Sequence, residues 1–204
     1  VFFIFLLNSY VLVAQQAVPF NARHQGYING DMTLIANNIV NRTDGNNEAN
    51  SPYNEISNKG KLNDEFEMNY IDVDTDATTF SSSSATLFLA GQENKKIVYA
   101  GLYWSATYLY NSGKGIKNEK FKAIDASREA YNQIKIKFPN QEMYTNVSGE
   151  LIFDGIKTEN FKESAPYVCY ADITNLVLNT ATPFGTYTVA NIKSTVGKLS
   201  GGVA

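Results

Sequence analysis

Asp72, Asp74 and Asp76 alternate with Val73 and Thr75, so an extended backbone sends all three carboxylates to one side. Like charges held that close repel one another unless a cation, or a Lys or Arg side chain, sits among them. Calcium takes oxygen ligands only and suits such an edge; Asp44, Asn46 and Glu48, in the neighbouring Asn-rich stretch, would supplement the set. The spacing is not that of an EF-hand, because Ala77 stands where the turn glycine belongs and Ser83 where the bidentate Glu belongs. The expectation is a calcium brace on Asp72, Asp74 and Asp76, with a solvated acidic strand end as the simpler alternative.

A second chemistry is ring stacking. Tyr108, Tyr110 and Tyr131 are candidate platforms for sugar rings, whereas Trp104 lies mid-strand among apolar neighbours and reads as core. Other constellations are weaker. Asn111-Ser-Gly-Lys-Gly115 lacks the spacing of a phosphate loop and reads as a hairpin connection. His24 has no Ser or Cys partner in a recognisable local context, so no triad is supported. No spacing singles out a carboxylate pair for glycoside hydrolysis. Cys169, in an apolar-aromatic run, reads as a small buried hydrophobe. One His and one Cys cannot build a His- or Cys-ligated zinc site, an iron–sulfur cluster or an intrachain disulfide.

The elements that must carry these residues are strands. The 204 residues include 13 Tyr, 12 Phe and 23 Asn, which favours strands joined by polar turns. A net charge of −3, with only 18% charged residues, excludes both a basic nucleic-acid binder and an acidic disordered tail. Ile134-Lys-Ile-Lys-Phe138 alternates cleanly and stops at Pro139-Asn140. Lys96 to Tyr108 is apolar on both faces, and residues 97–106 are the expected central strand. Further strands are expected over 31–40, 66–73, 85–90, 147–154, 166–171 and 186–193. Residues 172–178 form the one expected helical turn, with Asp172 as N-cap and Ile173, Leu176 and Val177 on its apolar face. Ser81–Ser84 reads as a flexible connector or bulge, and 41–64 as a long Asn-rich loop. The fold class is all-β: an antiparallel β-sandwich, jelly-roll-like, with one short helical turn.

The apolar run of residues 1–14 is too short to span a bilayer comfortably and ends in the small-residue pattern of a signal peptidase site, before Gln15-Gln16. It reads as a signal peptide lacking its basic start. Residues 15–204 then form the mature domain, and its last apolar pair, Val203-Ala204, reads as a strand cut short, so a C-terminally truncated domain is expected. No membrane span follows the leader.

Several phrases are similar to a known group. Phe20-Asn-Ala-Arg23, Asn29–Asn38, Ile71–Ala77 with Ser81–Ser84, and Val98–Ala106 resemble the N-terminal region of very large, type IX-secreted Bacteroidota surface proteins, the gliding-motility adhesins among them. Ala171–Val177 followed by Gly185–Asn191 resembles a wider bacterial surface-domain pattern built as a β-sandwich. The resemblance implies a secreted, cell-surface, non-catalytic adhesin module serving attachment or gliding. Its partners would be the secretion machinery during export and then an extracellular surface or glycan. A carbohydrate-binding, lectin-like module is the alternative, and a glycoside hydrolase-like enzyme the third reading.

Overall fold

The computed structural model describes residues 21–43, 66–108, 130–158, 161 and 165–197. Asp44, Glu48, Tyr110, the proposed leader, most of the 41–64 loop and Asn111–Gly115 lie outside the described residues.

The strands are β1 (Val40–Arg42), β2 (Met68–Tyr70), β3 (Ser82–Leu87), β4 (Gly101–Thr107), β5 (Gln133–Lys137), β6 (Thr145–Ser148), β7 (Glu150–Asp154), β8 (Pro166–Asp172) and β9 (Gly185–Ala190). They form a four-stranded sheet β3-β9-β5-β6, a three-stranded sheet β4-β8-β7 and a small β1-β2 ribbon. Every strand pairing in these sheets is antiparallel. The chain is an all-β sandwich. Trp104, Ala106, Tyr167 and Cys169 of the three-stranded sheet share one core with Ile134, Ile136, Val147 and Tyr187 of the four-stranded sheet. A second, smaller core gathers Ile39, Val40, Phe66, Met68 and Val196 around the ribbon.

β5 shows how the pattern becomes structure. Ile134 and Ile136 are buried while Lys135 and Lys137 lie on the other face, as a period of two requires. Phe138 is buried beyond the strand end, and Asn140, at φ 60°, makes the turn after Pro139. The one α-helix among the described residues, α1, covers Thr174–Leu178. Asp172 accepts a hydrogen bond from the Thr174 amide at 2.9 Å, while Ile173 and Val177 are buried and Leu176 packs on the core.

Five expectations are corrected. Ser82, Ser83 and Ser84 are not a connector; they open β3, in register with Ala190, Val189 and Thr188 of β9. Their hydroxyls are small enough to lie beneath a covering segment, which accounts for the burial of Ser82 and Ser83. β4 is not central: among the described residues it pairs only with β8, which is the middle strand of its sheet. Its second apolar face is an outward aromatic face rather than a second core. Residues 147–154 are not one strand, because β6 and β7 belong to different sheets and the chain changes sheets at Gly149. Residues 31–39 carry no regular strand before β1, and Asn41 and Arg42 belong to β1 rather than to a loop.

Gly149 marks that corner for a steric reason. A Cβ on it would lie 2.2 Å from Cη2 of Trp104 and 3.0 Å from the Tyr170 carbonyl oxygen. Only a residue without a side chain lets the backbone pass the indole so closely. The indole N–H in turn donates to the Tyr131 carbonyl at 3.0 Å.

Candidate functional site

The acidic triplet is dispersed among protein partners. The Ser82 hydroxyl donates to Asp72 at 2.7 Å and also accepts from the amides of Val73 and Asp74. Asp74 Oδ2 receives Lys137 Nζ at 3.0 Å and the Tyr144 hydroxyl at 2.5 Å. Asp76 accepts from the Thr78 amide at 2.8 Å, and Lys135 Nζ donates to the Thr78 carbonyl at 3.0 Å. The repulsion expected within the triplet is answered by Lys137, whose ammonium also lies 4.7 Å from the Tyr144 ring centre. Among the described residues no three His, Cys, Asp or Glu side chains are gathered as a metal site. Within the described residues Asp72, Asp74 and Asp76 each bond a different protein partner, and Asp44 and Glu48, the further ligands of the expected calcium brace, lie outside them.

Electrostatics follow the bonding. Burial alone would push the Asp74 carboxyl up, but the hydrogen bonds from Tyr144 and Lys137 outweigh it and hold the group below the usual carboxylate range. The Tyr144 phenol is pushed up by burial and by its bond to Asp74.

Of the three stacking candidates, Tyr108 is corrected outright. It is 0% exposed and meets Tyr131 and Tyr167 edge-on, each at 6.5 Å between ring centres. Tyr131 is half-buried, tilted against Tyr167 at 5.0 Å, and serves the core through its carbonyl bond to Trp104. Strand parity explains this, since Tyr108 shares the inward parity of Trp104 and Ala106. The residue of opposite parity, Tyr103, is the outward one at 54% exposed.

Around Tyr103 the outer face of the three-stranded sheet carries a connected set of aromatic and charged groups. Tyr103 and Tyr170 are register partners on β4 and β8, with ring centres 4.8 Å apart. Glu150 of β7 lies opposite Tyr170 on the other side. The chain before β1 returns across this face: the Arg23 guanidinium sits 4.5 Å over the Tyr170 ring and donates to Glu150 at 2.7 Å. His24 stacks on Tyr99 at 4.7 Å with an 11° interplanar angle. The Tyr99 and Tyr170 hydroxyls share a hydrogen bond of 2.7 Å. Burial and that shared bond push the Tyr99 phenol up to about 12, so it is neutral at physiological pH. Hydrogen bonds from Thr174 hold the exposed Asp172 carboxyl below its ordinary value, keeping it an acceptor.

Beside this set, where β6 turns into β7 and β8 runs into α1, lies an open depression of about 400 Å³. Asn146, Ser148, Glu150 and Asp172 contribute its polar lining, Val147, Ala171, Ile173 and Leu176 its apolar lining, and Tyr170 joins it to the aromatic face. The volume falls within the range of small-ligand sites, about 300–1,000 Å³.

Arg23, Tyr99, Tyr103, Glu150 and Tyr170 were not singled out from the sequence. Outward parity could have found Tyr103. The pairing that sets it beside Tyr170 and Glu150 has no sequence signature. Cys169 meets its expectation: it is buried opposite Trp104, and burial pushes its thiol up to about 12. Among the described residues no helix is long and apolar enough to cross a membrane. No family model, curated protein or solved structure matches this chain.

Proposed function

We propose that this chain is a non-catalytic N-terminal module of a large secreted cell-surface adhesin, contributing to attachment or gliding by direct contact with an extracellular surface. The observation that carries the reading is the outer face of the three-stranded sheet. There Tyr103, 54% exposed, is held on a strand against Tyr170, with the Arg23–Glu150 ion pair beside it. A tyrosine ring fixed on a strand offers apolar contact area together with a polar tip at little cost in conformational entropy. Charges of both signs beside it let the same face meet polar surfaces. The resemblance of residues 20–23, 29–38, 71–77, 81–84 and 98–106 to gliding-motility adhesins supports the same reading.

The test is retention under flow. Beads carrying the full chain are held against glass and polysaccharide-coated slides, with Tyr103→Ala and Phe88→Ala beads in parallel. Phe88 is 74% exposed and outside the set, so its variant controls for general loss of surface hydrophobicity. The expected result is strong retention that Tyr103→Ala weakens and Phe88→Ala does not. Retention equal to uncoated beads overturns the reading.

A further inference from the structure

We infer that the depression between the β6–β7 corner and α1 is a binding site for a neutral saccharide, an inference that rests on the surface-contact reading and names its ligand. Four properties of the site point to this class. Its volume of about 400 Å³ leaves room for one or two sugar rings. Its polar lining is acceptor-rich: Glu150 and Asp172 offer carboxylates, while Asn146 and Ser148 offer an amide and a hydroxyl that both donate and accept. Sugar hydroxyls are donors that such carboxylates accept strongly, by charge-assisted hydrogen bonds.

Of the apolar remainder, Leu176 is only partly buried and suits the C–H face of a pyranose ring. Exposed Tyr103, the ring neighbour of buried Tyr170 on the same outer face, offers a longer chain a second contact. The charge balance argues against an anionic ligand. Arg23 is already bonded to Glu150 and stacked on Tyr170, so the cation that would receive an anionic ligand is committed. Asp172, bonded to Thr174, adds a further negative charge that would repel one.

The site is also pre-organised. Glu150 is gripped by Arg23, Asp172 by the first turn of α1, and Tyr170 by Tyr99. Little ordering is left for the ligand to impose, which favours even a weak ligand.

The experiment uses the full chain, isotopically labelled, titrated with methyl glucoside, methyl galactoside, methyl mannoside, cellobiose and maltose, with glucuronate as the anionic counterpart. Amide shifts are expected to concentrate at residues 146–150 and 170–176. Glu150→Ala and Asn146→Ala are each expected to weaken the best neutral sugar at least about fivefold. Both side chains are exposed, so unchanged thermal midpoints will separate lost binding from lost folding. If glucuronate binds more tightly than glucoside, Arg23 is acting as an anion receptor and the neutral-sugar assignment fails. Shifts confined to other regions, or none at millimolar sugar, also overturn it. Beads that hold to surfaces while no sugar shifts these residues leave the attachment reading standing alone. Sugar binding at this site without bead retention does the reverse.

Discussion

Replacing Gly149 with Ala places one carbon where the Trp104 ring already is. The new Cβ would lie 2.2 Å from Cη2 and 2.8 Å from Cζ2 of the indole, whereas unbonded carbons rest about 3.5–4.0 Å apart. The ring must therefore retreat by more than about 1 Å. Trp104 is only 4% exposed, so it moves against packed neighbours, at a typical cost of about 1–3 kcal/mol. Its N–H bond to the Tyr131 carbonyl, 3.0 Å long, stretches with it, and a buried donor left unpaired adds about 1–3 kcal/mol. The reduced freedom of the unfolded chain returns about 0.4–1 kcal/mol. The net expectation is a loss of about 2–4 kcal/mol, or roughly 5–15 °C in the midpoint for a domain of this size. Trp104 is the only tryptophan, so its fluorescence in a urea titration reports on the perturbed group itself. In a Trp104→Phe background the clashing outer ring atoms are gone, and the same glycine substitution should cost clearly less. A Gly149→Ala protein within about 0.5 kcal/mol of the parent, with unshifted emission, would refute the steric account of the corner.

Two further predictions concern ionisable groups. Because the fold holds the Asp74 carboxyl below its ordinary value, the stability it confers is present above that value and drains away as pH falls through the folded one. Asp74→Asn should cost about 1–3 kcal/mol at neutral pH by taking the negative charge away from Lys137 and Tyr144. The parent–variant gap should narrow in acid denaturation below about pH 4, and a gap independent of pH would contradict the network. Cys169, buried with its thiol raised, should react with a thiol reagent only at the rate of unfolding; rapid labelling of the native protein would show that the β4–β8 pair opens locally.

Much of the fold was legible where one face is apolar and the other charged. β5 is the clearest instance, since Ile134 and Ile136 against Lys135 and Lys137 leave only one way to face the core. The reading failed where side chains serve both faces. Ser82 to Ser84 have low strand propensity, yet Ser82 belongs in β3 because its hydroxyl ties the 72–74 segment across the strand. The Lys96–Tyr108 run appeared buried on both sides, but Tyr103 is answered by Tyr170 and Arg23 rather than by a second layer of core. At the candidate site the individual types were visible, but Arg23 and Glu150 stand 127 positions apart. Only the register of β7, β8 and β4 brings their neighbours together.

The pairing of β3 with β9 joins segments roughly 100 residues apart, whereas β5 and β6 are close neighbours in sequence. During synthesis at about 5–20 residues per second, β3 waits on the order of 5–20 s for its partner to exist. Loop-closure entropy then makes this pairing a slow step even in the released chain. A strand that must wait is exposed to intermolecular pairing for all of that time. Its opening serines give that interval a polar, weakly strand-forming segment in place of an adhesive one. The residues that least resemble a strand are thus suited to the strand that waits longest for its partner.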